Sequence, residues 1–146
     1  MYDDLIERLG MAILKCSKAY TMWSTTHGLS DYYCKMLYEL YRHPGQSQRQ
    51  LVLVTGSPKQ SINKGIKKLQ RANYLTLTAD PHDGRVKLCY LNRAGQQYAK
   101  QKLTPLFELE RLTAAHFGRE KLVQLANLNE EWTQTFCQLL RKEGQK

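Results

Sequence analysis

The sequence predicts a mainly α-helical protein with a small β-hairpin wing, arranged as a winged helix-turn-helix between long N- and C-terminal dimerisation helices. Three observations predict this fold. Residues 57–74 have one apolar and one cationic helical face, residues 75–91 alternate around a polar turn, and apolar residues recur at helical spacing near both termini. The predicted boundaries are 1–29 for the N-terminal dimerisation helix, 30–92 for the winged helix-turn-helix lobe and 93–146 for the C-terminal dimerisation helices.

The positive charge of the chain is concentrated in its middle. The 146 residues carry a formal net charge of +9. Residues 40–102 hold 12 Lys or Arg against two acids, whereas the remainder holds 10 basic and 11 acidic residues. Charge confined to one segment indicates a surface for a polyanion such as nucleic acid. The alternative is a solvated basic face without a partner.

Several function classes find no support in the sequence. No run approaches the roughly 18 apolar residues of a membrane span, and the acidic N-terminus has no signal-peptide character, so we expect a cytoplasmic protein with no membrane partner. The four cysteines have no metal-ligand or disulfide spacing, so neither a metal site nor a cofactor is expected. Hydrolase, metalloprotease and phosphate-loop motifs are missing, which argues against an enzyme.

The N-terminal part of the chain is predicted to form three helices before the cationic helix over 57–74. Apolar spacing predicts a first helix over about 3–24, and a cap at Ser30 and Asp31 predicts a second through Tyr41. Ser47-x-x-Gln50 has the pattern of a capping box and opens a short helix over 51–54.

The helix over 57–74 is predicted to begin with Ser57 as its N-cap, Pro58 in its first turn and Gln60 as the other arm of a capping box. Its apolar side is predicted to face the core, and its opposite side to read DNA. The apolar positions are Ile62, Ile66 and Leu69. The polar positions are Gln60, Lys64, Lys67 and Arg71, flanked by Asn63 and Lys68.

The alternating segment predicts a wing with the turn 80–84 at its tip. Arg85 is the basic side chain beside this tip, and we expect it to enter a minor groove, held by the carboxylate of Asp83. After the wing, Asn92 is predicted to cap a helix over 93–117, which Pro105 should kink or break locally.

The apolar stripes of the first and last helices exceed what one small lobe can cover. The last helix is predicted over 119–142. We therefore expect a two-fold homodimer built from the terminal helices. A monomeric helical cap is the alternative.

Two motifs give the chain a family resemblance. Asp80-Pro81-His82-Asp83-Gly84-Arg85 and Leu91-Asn92-Arg93-Ala94-Gly95 are similar to the wing tip and fifth-helix start of the MarR (multiple-antibiotic-resistance regulator) family of bacterial transcription factors. Residues 47–75 resemble its helix-turn-helix. The resemblance implies an obligate homodimer with recognition helices in successive major grooves, wing arginines in minor grooves, and regulation by a small molecule, metal or oxidant. Asn73 stands where glycine is frequent, and Asn92 where threonine is usual.

The predicted DNA-binding residues lie at both helix starts, along the cationic face and at the wing. Amides and lysine early in the helix suit base edges, and the later lysines and arginine suit phosphates or solvent. The residues are Ser47, Gln48, Lys59, Gln60, Ser61, Asn63, Lys64, Lys67, Lys68, Arg71, Asp83 and Arg85.

A set of aromatic residues could line a pocket for a small-molecule effector, since the family often binds phenolic compounds; their alternative role is core packing. The set is Tyr20, Trp23, Tyr32, Tyr33, Tyr38 and Tyr41. Cys16 lies on the apolar stripe of the first helix and is expected to be buried, although thiol-based redox sensing is an alternative within the family.

The sequence therefore predicts a sequence-specific regulator, most simply a repressor, that binds double-stranded DNA as a homodimer on an inverted repeat. The alternative function is a winged-helix interaction module for an acidic protein or RNA.

Overall fold

The computed structural model describes residues 2–144 and confirms the predicted fold class: six helices with a small three-stranded antiparallel sheet. The chain divides into two compact units between Thr104 and Pro105. The elements are α1 Asp3–Thr26, α2 Asp31–Arg42, β1 Gln46–Ser47, α3 Gln48–Thr55, α4 Lys59–Arg71, β2 Leu75–Ala79, β3 Lys87–Leu91, α5 Arg93–Phe117 and α6 Arg119–Glu143.

The core of the first unit is formed by the apolar sides of α2, α3, α4 and the first half of α5. Seven large side chains have almost no solvent exposure, and burying one such side chain contributes about 1.5–3 kcal/mol. They are Met36, Leu37, Leu40, Leu51, Ile62, Leu69 and Leu103. This core fixes the orientation of the cationic helix α4.

The sheet has the strand order β1-β3-β2. The predicted hairpin pairs Leu75 with Leu91 and Leu77 with Cys89. The strand β1 was not predicted, because two residues are too short to show alternation; Gln46 pairs with Cys89 on the other edge of β3. The short strand ties the start of α3 to the wing.

Two predicted helix caps are present in the first unit. The Ser47 hydroxyl accepts from the Gln50 N–H at 3.2 Å, and the Gln50 side chain accepts from the Ser47 N–H at 2.8 Å, which completes the capping box. The Asn92 side chain accepts from the Gly95 N–H at 2.8 Å and so caps α5.

The predicted cap at Ser57 is wrong. The helix α4 begins one residue later, with Pro58 as its N-cap and no side-chain cap hydrogen bond. Pro58 has an extended ψ of 144°, and its carbonyl accepts the first helical hydrogen bond, from the Ile62 N–H. Ser57 therefore lies one residue before the N-cap, in the turn between α3 and α4.

Ser30 occupies the predicted N-cap position of α2, but its side chain makes no cap hydrogen bond. The neighbouring Asp31 instead accepts from the Thr21 hydroxyl at 2.9 Å and pairs with Lys35 at 2.7 Å. This carboxylate joins the end of α1 to α2.

Gly95 packs the start of α5 closely against Tyr74, which follows the end of α4. A Cβ atom there would lie 2.1 Å from the Tyr74 carbonyl oxygen, so this position requires glycine. Asn73 has a φ of 58°, a left-handed conformation that asparagine tolerates better than most residues. This explains how asparagine serves where the family often has glycine.

Pro105 lies inside α5, which continues as a helix on both sides of it, so the predicted local break does not occur. The second unit contains the rest of α5 and α6, and none of the α6 residues Arg119–Glu143 is buried. Within the residues that the structure describes, no helix has the length and apolar character needed to cross a membrane.

Candidate nucleic-acid interface

The two faces of α4 are separated as the sequence predicted. Ile62 and Leu69 have no solvent exposure, and Ile66 is buried beside them. On the opposite side, the side chains of Gln60, Lys64, Lys67 and Arg71 are exposed, and those of Ser61 and Asn63 are half-buried at its margins. We call these six residues the outer face of α4. The helix therefore presents amides and cations to solvent on a rigid, core-anchored support.

A close approach of helices sets the position of α4. Gly65 faces α2, and a Cβ atom there would lie 2.6 Å from the Cε atom of the fully buried Met36. The absence of a side chain at Gly65 leaves room for the thioether of Met36 against the backbone of α4. The sequence pattern did not reveal this role, because an isolated glycine in a helix is only a weak signal.

The residues predicted to contact phosphates at the starts of α3 and α4 differ in how far they are exposed. Ser47 is buried, and its hydroxyl is used in the capping box. Gln48 is half-buried and donates to the Lys59 carbonyl at 3.5 Å, while the Lys59 side chain is exposed. Gln48 and Lys59 thus lie together beside the outer face, at the end where α4 begins.

Two aspartate carboxylates accept backbone hydrogen bonds within the turn at the wing tip. The Asp80 carboxylate accepts from the His82 N–H at 2.8 Å, and the Asp83 carboxylate from the Arg85 N–H at 3.1 Å. Asp83 was expected to hold the Arg85 guanidinium, and this detail is corrected: its carboxylate binds the backbone in a local turn of the kind that aspartate favours. The Arg85 side chain is exposed and has no ion pair among the described residues.

Three tyrosines meet in the first unit, and we call them the tyrosine cluster: Tyr33, Tyr74 and Tyr98. The hydroxyl oxygens of Tyr33 and Tyr98 are 3.3 Å apart, and the rings of Tyr74 and Tyr98 stack with centroids 4.6 Å apart. Burial and the neighbouring phenols raise the pKa of Tyr33 well above its ordinary value. Only Tyr33 was singled out from the sequence, because the pairing of Tyr74 with Tyr98 depends on the fold.

The six predicted effector-pocket residues differ in their contacts and exposure. Tyr32 and Tyr33 contact each other edge to face, with centroids 6.4 Å apart. Trp23 stacks on His27 at 4.1 Å, and Tyr38 contacts the Arg42 guanidinium at 5.6 Å. Tyr20 is exposed and Tyr41 is half-buried.

Two open clefts in the structure are lined by other residues. One, of about 560 Å³, lies among Leu109, Leu112, Thr113, His116 and Phe117 of α5. The other, of about 790 Å³, lies along residues 4–15 of α1. Both coincide with apolar side chains that the single chain leaves uncovered.

The cysteines differ in exposure. Cys34 and Cys89 are buried, and burial raises the pKa of Cys89 to about 11. Cys16 was expected to be buried but is exposed, and Ser24 is the buried residue of α1 in the part of the chain that the structure describes. Residues 2–144 contain no group of three His, Cys, Asp or Glu that could hold a metal ion.

Helices α3 and α4 with the hairpin β2–β3 form a winged helix-turn-helix, a class defined by its exposed reading helix and adjacent wing. The sequence model of the MarR family matches residues 27–86, from the end of α1 to the wing tip. The resemblance to the MarR family is therefore confirmed over the segment that holds the outer face of α4 and Arg85. No curated protein sequence is significantly similar to the chain.

Several solved structures share the fold over most of the chain. NMB1585, a MarR family regulator from Neisseria meningitidis, has a TM-score of 0.81 and 19% identity, over 95% of this chain and 98% of its own. S. aureus MepR in a DNA-binding conformation has a TM-score of 0.67 and 17% identity, over 92% and 98%. NadR in complex with 4-hydroxyphenylacetate has a TM-score of 0.75 and 15% identity, over 85% and 91%.

Proposed function

We propose that the protein is a sequence-specific transcriptional regulator, a repressor, that binds double-stranded DNA as a homodimer. The observation that carries this proposal is the outer face of α4, where amides and cations are exposed directly opposite a fully buried apolar stripe. A helix of 13 residues is about 20 Å long and fits the major groove. The match of this segment to a family of regulators supports the assignment.

The residues of the outer face have distinct chemical roles in this proposal. Gln60, Ser61 and Asn63 in the first turns reach base edges, where glutamine and asparagine suit adenine, and Lys64 suits guanine. Lys67 and Arg71 bind phosphates, as do Lys59 and Gln48 at the start of the helix. These phosphate contacts make binding dependent on salt.

Arg85 extends the contact beyond α4. Its exposed guanidinium lies at the tip of a hairpin whose turn is held by two aspartate–backbone hydrogen bonds. A narrow minor groove has a strong negative potential that attracts an arginine side chain. We infer that Asp83 contributes by fixing the turn that presents Arg85.

A second copy of the chain explains the uncovered terminal helices. Leu5 and Ile13 on α1, and Trp132, Phe136 and Leu139 on α6, are large apolar side chains that remain exposed in the single chain. Covering them in a two-fold dimer removes them from water and presents two copies of α4 to one duplex. The operator is then an inverted repeat with half-sites about 10 bp apart.

A small-molecule effector is part of the proposal. The relative NadR was solved with 4-hydroxyphenylacetate. The present chain holds Tyr32 and Tyr33 in contact and has further aromatic residues on α1 and α2. We expect 4-hydroxyphenylacetate or a similar aromatic acid to raise the melting temperature and weaken DNA binding. No change in either property would remove this part of the proposal.

The test of DNA recognition is to select duplexes from a random pool with the full-length protein and to compare the enriched duplex with a scrambled one at matched salt. We expect an inverted repeat and an affinity ratio of about a thousandfold or more. Equal affinity would contradict sequence-specific regulation. Preference for a structured RNA or an acidic protein under the same conditions would support an interaction module instead.

A further inference from the structure

One lysine of α4 contacts its own lobe. The ammonium nitrogen of Lys68 lies 4.2 Å from the ring centroid of Tyr33, within the range of a cation–π interaction. Lys64 and Lys67 of the outer face make no ion pair or ring contact with any described residue. Lys68 is exposed, as Lys64 and Lys67 are, but its ammonium group contacts a ring of its own lobe and theirs do not.

The ring that Lys68 contacts is firmly held. Tyr33 is 2% exposed, and its hydroxyl is 3.3 Å from that of Tyr98 on α5. Tyr98 stacks on Tyr74, with an angle of 20° between the rings. Aromatic pairs of this kind are worth more than their buried area alone, so the tyrosine cluster is a rigid support.

The tyrosine cluster contacts the end of α4 in two places. Lys68 lies in the last turn of the helix, and Tyr74 lies just beyond it, with its N–H donating to the Leu69 carbonyl at 2.9 Å. The Tyr74 carbonyl in turn accepts from the Asn92 N–H at 3.0 Å, and Gly95 packs directly against it. The contacts thus run from α4 through α2 and α5 and return to the end of α4.

From this arrangement we infer that Lys68 is a positioning residue of the DNA-reading helix, which holds the second half of α4 against Tyr33 and makes no contact with DNA phosphate. The inference rests on the proposed function. Without the cation, the last turns of α4 lose one of their two attachments to the tyrosine cluster. The outer-face side chains then reach the duplex less accurately.

The first experiment measures salt dependence with the selected duplex. Lys68→Met removes the charge and keeps the length of the apolar stem. We expect its affinity to fall about three- to tenfold, while the slope of log affinity against log salt stays at the wild-type value. Lys67→Met, one position earlier on the outer face, is the matched control and should reduce the slope by about 0.9. Lys68→Arg should restore the affinity, since arginine also binds aromatic rings.

The second experiment tests whether Lys68 acts through Tyr33. In a Tyr33→Leu background, Lys68→Met should cause no further loss of affinity. In a Tyr33→Phe background, which keeps the ring, it should cause the full loss. If circular dichroism shows that Tyr33→Leu is unfolded, the inference is tested by the Tyr33→Phe background and the salt slopes instead.

Two results would overturn the inference. One is a slope for Lys68→Met reduced as much as that for Lys67→Met; the other is an undiminished effect of Lys68→Met in a folded Tyr33→Leu protein. Failure of the proposed function would be recognised separately, because the wild-type protein would then bind selected and scrambled duplexes equally.

Discussion

Helices α4 and α6 are both amphipathic, but the apolar face of α4 is buried and that of α6 is exposed. The apolar side of α4 is buried against its own lobe, with Ile62 and Leu69 at 0% exposure. The apolar side of α6 is open to solvent, with Trp132 at 44% and Phe136 at 58%. We propose the polar face of α4 as the surface for DNA. We propose the apolar face of α6 as the surface for a second copy, because apolar surface tends to leave water. The same helical periodicity thus accompanies two opposite patterns of burial.

The largest expected effect comes from breaking the contact assigned to α6. Phe136→Glu places a charge on the apolar face of α6, in the proposed dimer interface, where its desolvation is costly. We expect a monomer by light scattering and a loss of DNA affinity of about a hundredfold or more, because the two half-sites no longer bind together. Gln138→Glu, at an exposed polar position of the same helix, makes the same change of one charge and serves as the control. A dimeric Phe136→Glu protein would refute the assigned interface.

The next largest effect is expected from removing the arginine at the wing tip. Arg85→Ala removes the exposed guanidinium of the wing without removing a described ion pair. We expect a cost of about 1–3 kcal/mol in binding the selected duplex, a salt slope reduced by about 1 and unchanged helical content. Filter binding over a range of salt concentrations measures the first two. Wild-type affinity of the variant would show that the wing does not contact DNA.

Two serine-to-alanine variants in the first unit compare a serine that caps a helix with one that does not. Ser47→Ala removes a capping-box hydroxyl and should lower the free energy of unfolding by about 1 kcal/mol. Ser57→Ala removes a hydroxyl that caps no helix and should change it by less than about 0.5 kcal/mol. Urea unfolding of both variants measures the difference. Equal costs would contradict the position of the α4 start.

A smaller effect depends on pH. Burial raises the pKa of Cys89 from 9.0 to about 11, so the folded state holds this proton more tightly than the unfolded state does. The resulting stabilisation is fully present below pH 9 and is lost as the pH rises through about 11. We expect the melting temperature of wild type to fall more steeply than that of Cys89→Ala between pH 9 and pH 10.5. Parallel curves would contradict a buried thiol at this position.

The sequence was most informative where local pattern and tertiary structure agree. The two faces of α4, the hairpin and the caps at Ser47 and Asn92 depend on residues close in sequence, and all are present in the structure. The start of α4 was misplaced by one residue because Pro58 has an extended ψ of 144° and is itself the N-cap, where the pattern had placed the first helical residue. The expected contact of Asp83 with a guanidinium was replaced by a shorter-range one with the backbone.

Other features depend on which elements meet, and periodicity does not contain that information. The pairing of Tyr98 with Tyr33 joins residues 65 positions apart. The close approach of Gly65 to Met36 requires the packing of α4 on α2. Cys16 is exposed together with apolar residues of the same helix, such as Leu5 and Ile13, among the residues that the structure describes. A stripe shows that a face needs cover, but not what covers it.

The central claim is that two copies of α4 and two wing tips meet one duplex. Hydroxyl-radical footprinting of the selected duplex with the wild-type protein and with Arg85→Ala tests it most directly. The account predicts two protected patches about 10 bp apart, with flanking minor-groove protection that disappears in Arg85→Ala. A single patch, or flanking protection that persists in the variant, would contradict it.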